Sequence, residues 1–331
     1  MSLDITHNPT DKYSRYFLIV ESIKKLFPND KISVLEVGGA NSICYDFIKK
    51  DNLKWKYSVI DILQNNKELE YQYYLGKGYS LPFKGKQFDV VFSTDTFEHI
   101  PNKNKKQFIL EQLRVSKNCV IISAPFNSKI NTDAEIFVNS IYKLNTNHDY
   151  PWLKEHFELE KPNLDETIKI LHAHKFRHIV IGNNSINNWL QYLSLHFISL
   201  TSKIKSNEIQ KFFSFANTNI FKIADFNEPT YRKTIIATKN KTMILSQIVI
   251  EKKSKNNYEL NKKFIYALAQ LVKELNLALQ PKLKLLSPNQ DEIVDLKLTL
   301  KKIQSSKFYK IWQLYCNTRD KLFKKNNIYA E

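Results

Sequence analysis

Three short stretches of this chain carry side chains suited to chemistry. The first runs Glu36-Val37-Gly38-Gly39-Ala40, an acid and two adjacent glycines closing an apolar run, with Asp61 at the end of the next such run. The second is Ser93-Thr94-Asp95-Thr96-Phe97-Glu98-His99. The third, from Asn147 to Phe157, gathers His148, Asp149, Tyr150, Trp152, Glu155 and His156. Glycine serves where backbone bends tightly or something approaches it closely. The chain has only six, and five of them fall between positions 38 and 85. A strand, a small-residue turn and a helix start form a cradle in which amide groups face a ligand. A carboxylate ending the following strand accepts hydrogen bonds from both hydroxyls of a ribose. The glycine turn and Asp61 together therefore point to an adenosine-containing cofactor. The run Gly38-Gly39-Ala40-Asn41-Ser42 lacks the third glycine of a dinucleotide fingerprint and the lysine of a phosphate loop, so both phosphate readings are disfavoured.

The elements that must hold these residues can be read from periodicity. Tyr13 to Phe27 has apolar residues at helical spacing and stops at Pro28. Strands are predicted over 32–37, 57–60, 71–75, 88–93 and 119–124, with helices over 41–50 and 103–117 between them. A further helix over 164–174 and strand over 176–181 follow, and 232–238 reads as one more strand. Strands alternating with helices indicate an α/β domain with a largely parallel sheet. The aromatic, mostly helical stretch within about 184–228 reads as an insertion between two strands of that sheet. The domain is expected to span 1–240 and to be followed by a helical extension, 241–331.

Composition bounds the rest. At 331 residues, with 43% hydrophobic and 13% aromatic, the chain has ample material for a packed core. Cys44, Cys119 and Cys316 are odd in number and far apart, which fits a reducing compartment such as the cytoplasm. The first residues show neither a basic nor an apolar leader segment, and no run of about 18 uncharged apolar residues predicts a membrane span. Of the net charge of +17, residues 241–331 contribute +10. That basic segment suits an anionic membrane surface, an acidic partner or simply solvent. Within it, Ile293, Leu296, Leu300 and Ile303 alternate three and four apart, a short coiled-coil-like seam. No reading motif for nucleic acid accompanies the charge. His172, His174 and His178 have no cysteine or carboxylate at ligand spacing, so no metal is expected.

The ordered set Glu36-Val37-Gly38-Gly39-Ala40, Asp61, Leu81-Pro82-Phe83 and Gln87 to Pro101 resembles the motifs of class I, Rossmann-like S-adenosylmethionine-dependent methyltransferases over about residues 30–240. The resemblance implies a three-layer αβα sandwich around a mostly parallel seven-stranded sheet. It implies S-adenosylmethionine held by Glu36, Gly38, Gly39, Ala40, Asp61, Gly78, Tyr79, Ser80, Leu81, Ser93 and Asp95. Lys77 departs from the pattern, standing where many members have an aspartate for the adenine amino group. The segment Asn147–Phe157, with Glu155-His156, and the Ser306–Trp312 run are similar to methyltransferases of bacterial surface-polysaccharide biosynthesis. By that likeness the methyl acceptor is a hydroxyl of a cell-surface glycan or a lipid-linked saccharide precursor. The tail would then meet the inner face of the membrane or a glycan-assembly enzyme. A sugar hydroxyl is a poor nucleophile and requires a base, for which His99, His156 and Asp95 are the candidates. Trp152 and Trp189 are candidates to stack on a sugar, or to anchor the core. The rival readings are an RNA methyltransferase, disfavoured because Ser93-Thr94-Asp95-Thr96 stands where base methylases carry an Asn-Pro-Pro-Tyr-like segment, and a non-catalytic scaffold with a membrane- or partner-binding tail.

Overall fold

The computed structural model describes residues 4–28, 31–65, 68–201, 207–220, 225–248, 261, 263–269, 272, 290–306 and 310. Seven strands form one sheet: β1 (Ser33–Val37), β2 (Lys56–Asp61), β3 (Gln72–Leu75), β4 (Phe88–Thr94), β5 (Ser116–Ala124), β6 (Arg177–Ser185) and β7 (Thr230–Thr238). Their order is β3-β2-β1-β4-β5-β7-β6. All neighbours are parallel except β7, which runs antiparallel to both β5 and β6. The order reverses between β1 and β4, so the crevice for a ligand opens beyond their carboxyl ends.

Residues alternate between two cores because successive strand side chains point to opposite faces. Val34, Val59, Val90, Phe92 and Ile121 face one side, packed by α1 (Thr10–Leu26) and α2 (Cys44–Lys50). Leu35, Val37, Val91, Val120 and Ile122 face the other, packed by α3 (Lys105–Val115) and α6 (Leu164–Ala173). The result is the expected three-layer αβα sandwich of the Rossmann-like methyltransferase fold. Both faces being covered explains why the strands read as continuous apolar runs rather than alternating ones.

Two helices lie where the sequence reading had none. α4 (Lys129–Thr146) starts at Ser128, whose hydroxyl accepts from the Asn131 amide, and ends at Asn147 in the left-handed region. Its apolar residues do not make one clean stripe: Ala134 and Val138 are buried while Ile136, Phe137 and Leu144 are exposed, which blurs the helical period. α5 (Pro151–Glu158) covers most of the stretch Asn147–Phe157, which carries no strong helix or strand signal in sequence, with Pro151 pre-set for the first helical turn. The expected insertion consists of α7 (Ile186–Thr201) and α8 (Asn207–Phe215) between β6 and β7. A third cluster joins Val138, Leu153, Trp189, Phe197 and Tyr231. Trp189 is therefore a core residue, its ring stacked on Tyr231 at 3.8 Å.

The chain separates into two compact units, 1–272 and 273–331. Met243, Leu245 and Ile248 pack into the first core, so that core continues beyond Asn240. In the second unit the described element is α9 (Gln290–Ser305), on which Leu298, Leu300 and Ile303 are exposed. Most of the Ser306–Trp312 run, and of a helix that the apolar spacing over 260–279 predicts, lies outside the described residues. Among the described residues no helix is long and apolar enough to cross a membrane.

Candidate active site

The glycine turn is fixed by its own neighbours. Gly38 has φ +85°, and a Cβ there would meet the Thr96 side chain at 2.2 Å, so only glycine fits. Beneath it, Glu36 is fully buried and accepts from the hydroxyls of Tyr16 at 3.0 Å, Ser42 at 2.7 Å and Tyr57. Burial raises its pKa against the pull of those three hydroxyls. Glu36 thus braces the turn from below, tying α1 and β2 to it, instead of offering its carboxylate to a cofactor as the sequence reading had it.

Asp61 ends β2 beside the turn, where its carboxylate accepts from the Ala40 amide at 2.9 Å and the Leu63 amide at 2.9 Å. Each oxygen keeps acceptor capacity for one further donor, which is what a ribose diol requires. At the end of β4, Ser93 Oγ and Thr94 Oγ1 are buried without a hydrogen-bond partner. The Gly78–Leu81 segment is divided: Tyr79 and Ser80 are not buried, whereas Leu81 is a core residue whose amide donates to Glu111 at 2.7 Å. A Cβ on Gly78 would collide with Phe108 and Val37, so this turn too is packed tightly from below. Lys77 lies over the Tyr79 ring at 5.9 Å.

Asp95 corrects another expectation. Its carboxylate accepts from Arg232 Nε and Nη2, each at 2.6 Å, and from Arg15 Nη1 at 2.7 Å. Burial alone would raise its pKa, but the two guanidiniums outweigh that and hold it well below the usual carboxylate range. A carboxylate so paired lacks the proton affinity of a general base. Arg232, unremarked in the sequence beyond opening a strand, is 2% exposed and also reaches Asp11 at 2.8 Å. No sequence signal marks it, because its partners lie on α1 and after β4, far along the chain.

The two predicted histidines do come together. His99 ends a short 3-10 turn, Phe97–His99, after β4; His156 lies on α5. Their Nε2 atoms face each other at 3.3 Å. His99 Nδ1 is 2.7 Å from Glu155, and His156 Nδ1 is 3.0 Å from Glu135, which Tyr231 and Lys161 also hold. Burial and the neighbouring ring lower the His99 pKa despite Glu155. Glu98 is 1% exposed with both oxygens unpartnered, and burial together with Asp95 raises its pKa. Trp152, 45% exposed, stands edge-on to His99 at 5.5 Å between centroids. Of the other residues in that stretch, Asp149 accepts from Asn139 at 2.8 Å and Tyr150 packs on Phe197, which makes both parts of the scaffold.

The sheet order, the glycine turn, Asp61 and the segment after β4 are now in one place. Residues 48–122 match the model of a protein family described as a methyltransferase domain. The matched residues run from α2 to β5, and the sheet around them has the Rossmann-like fold of class I methyltransferases. No curated protein matches the chain. Among solved structures, it is similar to a SAM-dependent methyltransferase from Archaeoglobus fulgidus, at 16% identity over 68% of this chain and 94% of that one, with a TM-score of 0.40. It is also similar to the plantazolicin methyltransferase BpumL, at 13% identity over 71% and 86%, with a TM-score of 0.44. On the resemblance stated above, S-adenosylmethionine would lie against Gly38 to Ala40, Asp61, Tyr79, Ser80 and Ser93 and would supply an electrophilic methyl group.

Proposed function

We propose that this chain is an S-adenosylmethionine-dependent methyltransferase that acts in the cytoplasm on a hydroxyl of a cell-surface glycan or a lipid-linked saccharide precursor. The observation that carries this reading is the cluster of Trp152, His99, His156 and Glu155 beside the segment that follows β4. A half-exposed tryptophan offers the apolar face on which a sugar ring stacks. The facing imidazoles and Glu155 supply acceptors for hydroxyl groups and a place for the proton that a hydroxyl must lose. Much of the rate comes from holding the acceptor oxygen and the methyl carbon in line at near-attack distance. The Glu36 and Asp95 knots serve that end by fixing the turn and the post-β4 segment rigidly. The basic segment 241–331 brings the enzyme to the inner face of an anionic membrane or to a glycan-assembly enzyme, where lipid-linked acceptors are found.

The test incubates the purified chain with methyl-labelled S-adenosylmethionine and, separately, saccharide, lipid-linked saccharide, RNA and amine acceptors. The expected result is label in a saccharide fraction, recovered after hydrolysis as an O-methyl sugar by mass spectrometry. Label recovered only on nitrogen, or only in RNA, overturns the acceptor assignment.

A further inference from the structure

We propose that Glu98, His99 and His156 form a binding site for a single divalent transition-metal cation, of the zinc class. The three side chains offer ligand atoms that all lie within 4.8 Å of one another. The two imidazoles face each other through Nε2 at 3.3 Å. Zinc–nitrogen bonds of about 2.0–2.1 Å at a tetrahedral angle place two such nitrogens roughly 3.4 Å apart. Glu98 Oε1 is 3.9 Å from His156 Nε2, so a small rotation of one carboxylate completes the third edge.

The surroundings support a cation more strongly than the distances do. Each histidine turns its Nδ1 to a carboxylate, Glu155 for His99 and Glu135 for His156. Carboxylate–histidine pairs of this kind fix the tautomer and leave Nε2 as a lone-pair donor, as in metal sites. Two Nε2 lone pairs pointed at one another repel unless a proton or a metal cation lies between them. Glu98, meanwhile, is 1% exposed and has no hydrogen-bond partner on either oxygen. A buried acid without a partner is costly, and shared coordination removes the cost. Imidazole nitrogen with one carboxylate favours zinc-like ions over magnesium or calcium, which take oxygen ligands. Glu155 and Trp152 are each 45% exposed beside His99, so the remaining coordination position opens to solvent, as in sites that act on a substrate.

Once the cation is bound, both Nε2 atoms are ligands and neither takes a proton. An acceptor hydroxyl at the open position would be acidified by the cation and lose its proton to solvent water. That consequence rests on the acceptor reading above; the binding does not.

The test uses the untagged full chain, stripped with chelator and titrated with Co²⁺ as a spectroscopic probe. One equivalent should bind, with visible ligand-field absorption, and Zn²⁺ should displace it. Glu98→Gln and His156→Ala should abolish the spectrum. Glu155→Gln, which leaves all three ligands in place, should weaken binding about 10–100-fold, and His178→Ala should leave it unchanged. Circular dichroism of each variant separates a lost site from a lost fold. Should folded, stripped wild-type protein take up no Co²⁺ or Zn²⁺ above the His178→Ala, Glu98→Gln double variant, the site is refuted. Saccharide methylation by that metal-free protein at full rate would refute the site and leave the acceptor reading standing. Stoichiometric metal with no saccharide methylation would do the reverse.

Discussion

Removing Arg232 tests whether Asp95 is a structural anion or a free carboxylate. Arg232→Met keeps most of the side chain's volume and deletes only the guanidinium. The wild-type group donates twice to Asp95 at 2.6 Å, to Asp11 at 2.8 Å and to Asn184 at 2.5 Å. Deleting one partner of a buried ion pair costs about 3–5 kcal/mol, because the remaining charge is left without compensation. Asp95 retains Arg15 at 2.7 Å and Asp11 retains the Trp189 indole at 2.9 Å. Both acids therefore stay partly paired, and the expected loss is at the low end, about 3 kcal/mol. Arg232→Lys should recover less than half of it, since an ammonium cannot replace a planar fork. The pH dependence has a definite sign. The folded-state pKa of Asp95 is depressed, so its stabilisation is present above the ordinary carboxylate value of 3.8 and is lost as pH falls towards the folded value. The difference between wild type and variant should thus be largest at neutral pH and shrink below about pH 4. Urea unfolding followed by circular dichroism and by tryptophan fluorescence measures both quantities. A variant within about 0.5 kcal/mol of wild type at pH 7, the range of an ordinary surface substitution, would refute the knot.

Asp61→Ala should weaken S-adenosylmethionine binding by about 2–4 kcal/mol, the worth of two charge-assisted hydrogen bonds, and cost about 1–2 kcal/mol of stability from the freed Ala40 and Leu63 amides; calorimetric titration giving an unchanged Kd would contradict the ribose role. His99→Ala and His156→Ala should each lower turnover roughly 10²–10⁴-fold with cofactor affinity nearly intact, and wild-type rates in both would remove them from the chemistry. Burial pushes the Asp225 carboxyl up to about 7, despite hydrogen bonds from Asn188 and Asn184. Its raised value makes wild type lose stability as pH climbs from about 4 to 7, by roughly 4 kcal/mol. Asp225→Asn should lack that decline, so a wild-type-minus-variant difference that stays flat from pH 4 to 8 in urea titrations would rule it out.

The sheet and its turn were legible because their determinants are local. Val34-Leu35 and Val59-Ile60 are apolar on both faces, as buried parallel strands must be, and the left-handed φ of Gly38 demands a glycine at that position in the sequence itself. Asp61 was legible for the same reason, since it ends the strand next to the turn. The meeting of His99 and His156 was only half legible. Each stood out by residue type, but their 3.3 Å contact depends on α5 forming and docking against the turn after β4. Other assignments were decided by tertiary contacts alone. Glu36 and Asp95 carry the same carboxylate as Asp61, yet Tyr16, Ser42 and Tyr57 close around one, and Arg15 and Arg232 around the other. Glu98, equally unremarkable in one dimension, is buried with no hydrogen-bond partner on either oxygen. A carboxylate's role follows from which charges and donors surround it at 3 Å, and those neighbours come from residues far apart in the chain. Sequence supplies the acid; only packing decides whether it braces, binds or waits for a cation.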